Sequence, residues 1–320
     1  MKRRSLVQAA GATALLPLAT LAQDKYPSKT IIWVCPYAAG GNADSRSRQV
    51  AKVMSNLLGQ PIIIENQPAA GGVVATNALA RSAPDGYNLG VVFDSFATNP
   101  FLYKGVTHDP LKDFVPISLM VRSPQLLVVH PSKGIKTIQD LLAQGKEKNK
   151  VFFSTPGAGT SSRLSAELLK STANIDITLV SYRGGAAALN DLLGGQVTGM
   201  IASMALVLPH VQTGKLVPLG VSSPQRSPQI SSVPPIAETL PGFEAQSWTG
   251  MIAPAGTPKP ILDKLHAALI KALASPDVRE KLAGQGVEVV GGTQAEFADW
   301  LAKESQRWGK VIKDRNITVE

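Results

Sequence analysis

Two segments of the chain repeat one uncommon pattern, an apolar strand-like run followed by a proline, a glycine-rich turn and a helix-like run. The first occupies residues 31–44 around Pro36, and the second occupies residues 151–163 around Pro156. A strand that turns tightly into a helix leaves the first backbone N–H groups of the helix unpaired. These donors lie at the positive end of the helix dipole and favour anions. The sequence therefore predicts two anion-binding turns that hold one ligand from two sides.

Strand-like and helix-like segments alternate along most of the chain, which predicts an α/β fold with parallel sheets covered by helices. One series starts near residue 31 and a second near residue 126, whereas the region after residue 246 looks largely helical, with a loop at 252–258. We therefore expect two domains, one formed by residues 24–125 plus 246–320 and the other by residues 126–245. The ligand cleft should lie between them, at the carboxyl ends of the strands.

The N-terminus has the pattern of a secretory signal peptide. A basic segment, Lys2-Arg3-Arg4, precedes an apolar stretch that ends in small residues before Ala22. We expect residues 1–22 to be removed during export, and the two arginines leave both the general and the twin-arginine routes open. No later apolar run is long enough to span a bilayer.

Composition argues against several functional classes. The formal charge of +9 is dispersed and only 5% of residues are aromatic, so nucleic-acid binding is not expected. Cys35 is the single cysteine, and the four histidines are far apart without metal-ligand spacing. Neither a nucleophile elbow nor a phosphate-binding loop is present. We therefore expect a binding protein, not an enzyme, with neither a metal nor a cofactor.

A hydrolase that uses Ser161 or Ser162 is an alternative from a different class. Such an enzyme needs a histidine base and an orienting carboxylate beside the nucleophile. The sequence places no histidine near this turn, which makes the hydrolase the weaker hypothesis.

The chain also resembles the Bug/TctC family of periplasmic solute receptors from about Tyr26 to Ile317. The resemblance rests on an ordered series of short blocks, each of which is weak alone. They include Pro36-Tyr37-Ala38-Ala39-Gly40-Gly41-Asn42-Ala43-Asp44, Glu65-Asn66-Gln67-Pro68, Ala83-Pro84-Asp85-Gly86-Tyr87, Asn99-Pro100-Phe101-Leu102-Tyr103, Asp113-Phe114-Val115-Pro116-Ile117, Gly194-Gly195-Gln196-Val197 and Ala253-Pro254-Ala255-Gly256-Thr257-Pro258.

This resemblance implies a two-domain Venus-flytrap fold that is type II-like. We also expect a periplasmic location, from the signal peptide, and a monomer. The resemblance also implies that backbone N–H groups and ordered waters at the two turns hold a ligand carboxylate, and that membrane permease subunits of a tripartite tricarboxylate transporter receive the ligand. A sensor that signals to a membrane kinase would share the same fold and stays an alternative. The family positions carried over to this chain are Tyr37, Ala38, Ala39, Gly40, Gly41 and Asp44 in the first turn, and Gly157, Ala158, Gly159, Thr160 and Ser161 in the second.

Four further positions are candidate ligand contacts. Ser95 and Thr98 follow the strand that ends at Phe93 and are expected at the floor of the cleft. Arg163 stands where the family usually has histidine, so its guanidinium could bind a second carboxylate. Ala202 stands where many members carry an acidic residue.

Because Ala202 replaces this acidic residue, the chain lacks a partner for an ammonium group of the ligand. This favours a dicarboxylate, tricarboxylate or aromatic acid over an amino acid. We expect the two domains to close around the ligand about hinges near residues 121–125 and 243–247.

Overall fold

The computed structural model describes residues 26–157, 160–182 and 184–318, so the expected signal peptide (1–22) lies outside the described residues. The strands are β1 (Ile31–Cys35), β2 (Ile62–Asn66), β3 (Asn88–Phe93), β4 (Phe114–Val129), β5 (Phe152–Thr155), β6 (Thr178–Ser181), β7 (Gly199–Ser203), β8 (Val217–Val221), β9 (Gln246–Pro254) and β10 (Glu288–Val289). The helices are α1 (Asn42–Leu58), α2 (Val73–Ala80), α3 (Asp94–Leu102), α4 (Ile138–Gln144), α5 (Ser161–Ala173), α6 (Gly185–Leu193), α7 (Met204–Gln212), α8 (Lys259–Ala274), α9 (Pro276–Gly284) and α10 (Gln294–Asp314).

The strands form one continuous sheet in the order β2-β1-β3-β9-β4-β7-β5-β6, with β8 and β10 also paired to β4. Pairing is parallel at both ends of this order, between β1 and its neighbours β2 and β3 and between β5 and its neighbours β6 and β7. These parallel units are those that the strand–helix alternation predicts. In the centre, β9 runs antiparallel to β3 and β4, and β4 runs antiparallel to β7.

The long strand β4 joins the two halves of the sheet. Its first part pairs with β9 as far as Pro124, which lies opposite Gln246. From Gln125 onward it pairs with β7 and β8, beginning opposite Ser203. We refer below to the half that contains β1–β3 and β9 as the first half, and to the half that contains β5–β8 as the second half. The domain limits at residues 125 and 246 stay a prediction.

The expectation of a C-terminal region with little sheet was wrong. Strand β9 lies between β3 and β4 and includes Ile252, Ala253 and Pro254, which were expected in a loop. All but one of its nine residues are buried, so the strand lacks the polar–apolar alternation by which a half-exposed strand is recognised. Gly250 and the terminal Pro254 gave the segment the composition of a loop.

Helices α3 and α7, which the sequence analysis did not predict, each begin at the residue after a strand. β3 ends at Phe93 and α3 begins at Asp94, and β7 ends at Ser203 where α7 follows with Met204. Pro100 and Pro209 lie inside these two helices, and an internal proline normally argues against a helix. Helix α1, by contrast, has the bounds that apolar residues at helical spacing over residues 42–58 predict. It is followed by the cap residue Gly59, whose φ of 72° only glycine adopts easily.

Separate apolar clusters stabilise the two halves. In the first half, Trp33 and Met54 pack with the buried face of α8, including Leu265. In the second half, Phe153 and Leu169 belong to a cluster that also receives the last turns of α10, including Trp308. The ends of β3, β5 and β7 and the helices that follow them are thereby held on opposite sides of one cavity.

Candidate ligand-binding site

A cavity of about 580 Å³ lies between the two halves. Its wall on the first half is formed by Tyr37, Arg46, Gly71, Phe93, Asp94, Ser95, Asn99 and Tyr103. Its wall on the second half is formed by Pro156, Gly157, Thr160, Ser161, Ser162, Gly185, Ala202, Ser203 and Leu206. The residues Ser123, Gln125 and Ser247 line it from the strands β4 and β9.

The first turn reaches the cavity through Tyr37. The hydroxyl of Tyr37 lies 2.6 Å from the Ser95 Oγ, and its ring packs edge-on against Phe93. Burial raises the pKa of Tyr37, so its hydroxyl stays protonated and is available as a hydrogen-bond donor. The four predicted contacts after Tyr37 are solvent-exposed and do not line the cavity. They are Ala38, Ala39, Gly40 and Gly41.

Asp44 supports the first turn from outside the cavity. Its Oδ2 accepts the Gly40 N–H at 2.9 Å, and its Oδ1 lies 2.8 Å from Arg48 Nη2. Burial opposes the ionisation of Asp44, but these two contacts outweigh it and hold its pKa below the ordinary value. The carboxylate therefore stabilises the backbone conformation of the turn.

The second turn lies directly on the cavity. Thr160 precedes the first residue of α5, and its Oγ1 accepts the Arg163 N–H at 3.3 Å and donates to the Gly157 carbonyl at 2.8 Å. Gly157, Thr160 and Ser161 all line the cavity. Ala158 and Gly159 lie outside the described residues.

Two more helices of the second half begin at the same wall. Gly185 is the first residue of α6, and Ser203 immediately precedes α7. The predicted contact Ala202 lines the cavity beside Ser203, while Ser162 donates to the Ile201 carbonyl and links α5 to β7. The N-termini of α5, α6 and α7 therefore converge on this wall and give it a positive potential.

Two predicted contacts lie away from the cavity. The Arg163 guanidinium contacts Glu167 Oε1 through Nε at 3.1 Å and Nη2 at 3.0 Å, and Nη1 donates to Ser181 Oγ. Thr98 is fully buried and donates to the Ser95 carbonyl. Neither residue is among those that line the cavity.

A charged pair on the first half, Arg46 and Asp94, was missed by the sequence analysis. Both residues line the cavity and are buried. Burial lowers the pKa of Arg46 to about 10, and it raises the pKa of Asp94. A sequence signal for Arg46 exists, because it lies four residues before Val50 and eight before Met54, on the apolar face of α1.

The described residues contain no group of three or more histidine, cysteine, aspartate or glutamate side chains placed to hold a metal ion. Among the same residues, no helix is both long enough and apolar enough to cross a membrane.

A family model for the tripartite tricarboxylate transporter family receptor, TctC, matches residues 47–317. The chain belongs to the TctC family. The resemblance inferred from the sequence blocks is thereby confirmed. Solved periplasmic binding proteins, among them BugD with a TM-score of 0.75 at 32% identity, confirm the two-domain fold. The TctC family is a family of periplasmic solute-binding receptors.

The relatives of this TctC-family chain include Bug proteins. Protein BugT of Bordetella pertussis is 34% identical over 306 residues, which cover 94% of this chain and 94% of BugT. An R. palustris protein solved with adipate superposes with a TM-score of 0.78 at 32% identity, covering 91% of this chain and 99% of that one. MatC from Rhodopseudomonas palustris, solved with bound malate, has a TM-score of 0.75 at 33% identity, covering 90% and 100%.

Proposed function

We propose that this chain is a periplasmic receptor that captures a small organic carboxylate in the cavity and delivers it to the permease of a tripartite tricarboxylate transporter. The observation that carries the proposal is the convergence of the N-termini of α5, α6 and α7 on one wall of a cavity of about 580 Å³. Family membership and the adipate and malate found in two relatives support the same ligand class.

In this proposal the second turn takes the ligand's first carboxylate. The backbone N–H groups at the start of α5 and the hydroxyl of Ser161 donate to the anion, aided by the dipole of α5. The Thr160 hydroxyl holds the turn in shape by donating to the Gly157 carbonyl. From the opposite wall, the hydrogen-bonded hydroxyls of Tyr37 and Ser95 can donate to the same ligand the one proton that their mutual bond leaves free. The contribution of the first turn then comes through Tyr37, because residues 38–41 are solvent-exposed and do not line the cavity.

We propose further that the two halves close on the ligand by bending where β4 and β9 pass between them, near residues 121–125 and 243–247. The change of strand partners at Pro124 and Gln125 supports this location, since each half keeps its own pairing on either side. Small-angle scattering with a saturating ligand should give a smaller radius of gyration than without ligand. An unchanged radius would contradict closure.

Ligand capture is tested by thermal denaturation of the exported chain with a panel of acids: succinate, L-malate, adipate, citrate, benzoate, L-aspartate and butyrate. A ligand that binds only the folded state raises the Tm, by mass action. Each positive acid is then titrated calorimetrically for its affinity. If no acid raises the Tm at millimolar concentration, carboxylate capture is wrong.

Delivery and the absence of turnover need separate measurements. A strain that lacks this chain should lose uptake of the radiolabelled acid and regain it when the chain is restored. Uptake that is unchanged by the deletion would contradict the transport role.

NMR spectra of the acid should stay identical after prolonged incubation with the protein, whereas a new product would indicate an enzyme.

A further inference from the structure

Arg46 is a buried cation whose hydrogen-bond partners are neutral. Its side chain reaches the cavity although the residue is only 3% exposed. Nε donates to Gln285 Oε1 at 3.3 Å and Nη1 donates to Thr249 Oγ1 at 3.1 Å. Among the described residues Arg46 forms no ion pair, and its guanidinium carbon lies 5.7 Å from the centroid of the Phe93 ring. A guanidinium withdrawn from water in this way favours an anionic partner that accepts more than one hydrogen bond.

Asp94 is a buried carboxylate on the same wall. It is the first residue of α3, and its Oδ1 accepts the Ser247 hydroxyl at 3.1 Å. The Ser161 side chain on the opposite wall also hydrogen-bonds to this carboxyl group, so the two ends of the ligand bind close together. Arg46 and Asp94 interact electrostatically without forming an ion pair. The wall therefore offers a guanidinium and a carboxyl group to a ligand at the same time.

Gln125 adds an unmatched acceptor from the strand β4. The residue is 2% exposed and lines the cavity, and its Oε1 has no hydrogen-bond partner among the described residues. A buried carbonyl oxygen without a donor costs free energy, so a ligand that donates to it binds more tightly. A ligand that matches this cavity should therefore carry a hydrogen-bond donor in addition to an anionic group.

We propose that Arg46 and Asp94 form a subsite for the second end of the ligand, and that this end is a carboxylate with a hydroxyl or ammonium group on the adjacent carbon. The carboxylate binds the Arg46 guanidinium. A neighbouring ammonium donates to both Asp94 and Gln125, whereas a hydroxyl, with its single proton, donates to one of them. The inference rests on the proposed function, in which the first carboxylate binds at the second turn. It identifies the ligand class as 2-hydroxy or 2-amino dicarboxylates.

An unsubstituted dicarboxylate satisfies this subsite only in part. Its second carboxylate can bind Arg46, but it brings no donor to Asp94 and leaves Gln125 unmatched. A site built to bind a polar group rejects an analogue that lacks it, because its own buried groups then stay unpaired. Asp94 also supplies an acidic group inside the cavity, so Ala202 does not argue against an amino acid ligand.

The test compares succinate, L-malate and L-aspartate, which differ only in the substituent on one carbon. Calorimetric titration of the wild-type chain should give an affinity for L-malate or L-aspartate about 10- to 100-fold above that for succinate. The better of the two identifies the substituent as hydroxyl or ammonium. Equal affinity for all three, or the tightest binding for succinate, would overturn the subsite.

Two variants test whether Asp94 and Arg46 cause the preference for the substituted acid. Asp94→Asn keeps the shape of the side chain and should remove most of the preference for the substituted acid over succinate. Arg46→Met should weaken the binding of the substituted acid about 10- to 100-fold more than that of butyrate, which has a single carboxylate. Preferences and affinities that are unchanged in both variants would overturn the proposal.

Arg226→Met is the control, because Arg226 is an arginine outside the cavity and outside both hinge segments, with Nη2 3.1 Å from Glu238 Oε1. It should leave all affinities unchanged, and circular dichroism and the Tm verify that each variant folds. If adipate, citrate or benzoate binds the wild type but none of the three test acids does, the subsite is wrong and carboxylate capture stands. If no acid of the panel binds, carboxylate capture itself is wrong.

Discussion

The indole Nε1–H of Trp248 donates to Oε2 of Glu304 at 3.2 Å and thereby links the central strand β9 to helix α10. The same oxygen accepts the Trp308 indole N–H at 2.9 Å, and Oε1 lies 3.3 Å from Arg307 Nη1. Glu304 is only 1% exposed. A carboxyl group therefore lies at the contact between the sheet and the helix that reaches the second half.

We expect Glu304 to make stability depend on pH. Burial raises its pKa from 4.5 to about 7, so the folded chain holds this proton more tightly than the unfolded chain does. Its contribution is complete below pH 4.5 and is lost as pH rises towards 7. We expect the free energy of unfolding, measured with urea, to fall between pH 5 and pH 7.5 in the wild type. In Glu304→Gln this fall should be smaller by about 1 to 3 kcal/mol.

Glu280→Gln is the control for this measurement, because Glu280 is an exposed glutamate on α9. It should have the same pH dependence as the wild type. If Glu304→Gln also follows the wild-type profile, Glu304 does not carry the proton.

The cap of α5 should matter for both stability and ligand binding. Thr160→Ala removes the side chain that caps α5 and closes the turn on Gly157, which should cost about 1 kcal/mol of unfolding free energy. Because Thr160 lines the cavity, the affinity for the carboxylate should fall as well. Differential scanning fluorimetry and calorimetric titration measure the two effects.

Thr137→Ala is the matched control. Thr137 caps α4 by accepting the Asp140 N–H at 3.1 Å, and it does not line the cavity. Its loss of stability should be similar while the affinity stays at the wild-type value. An equal loss of affinity in both variants would mean that the turn acts through general stability alone.

The sequence predicted the outer parts of the sheet better than its centre. The parallel units near β1 and β5 follow from the alternation of apolar strands and helices, and the periodicity of α1 gave its bounds directly. The antiparallel strand β9 was missed because its burial on both faces erases the alternation. Its pairing with β3 and β4 joins residues distant in sequence, which local patterns do not encode.

Of the positions expected at the two turns, Tyr37, Gly157, Thr160 and Ser161 line the cavity, and their role in ligand binding stays a prediction. The charged pair was missed for a physical reason. Arg46 and Asp94 become neighbours only when α1 and the end of β3 pack together, and a charged residue in a helix is normally a solvated one. The position of Arg46 on the apolar face of α1 was the available signal.

The close packing of β7 against β4 should make Gly199 intolerant of a side chain. A Cβ at this position would lie 2.6 Å from the Val128 carbonyl oxygen and 3.0 Å from Phe153 Cε1. Around Val128 the strand β4 is paired with both β7 and β8, so its backbone cannot move aside. Gly199→Ala should lower the free energy of unfolding, measured with urea, by about 1 to 3 kcal/mol.

Gly105→Ala serves as the control, since nothing lies within 4 Å of a Cβ built there. It should change the free energy of unfolding by less than about 0.5 kcal/mol. A Gly199→Ala variant as stable as the wild type would show that β7 and β4 can separate enough to accommodate a methyl group.

Arg163 provides the clearest test of the sequence-based expectation that its guanidinium binds a ligand carboxylate. In the structure this guanidinium is bound by Glu167 and Ser181, outside the residues that line the cavity. We therefore expect Arg163→Gln to change the affinity for the bound acid by less than about twofold. The Tm should fall, because Glu167 is left as a largely buried carboxylate without its cation. The double variant Arg163→Gln/Glu167→Gln should recover part of that loss. A fall in affinity of about tenfold or more in both variants would instead support a direct contact between Arg163 and the ligand.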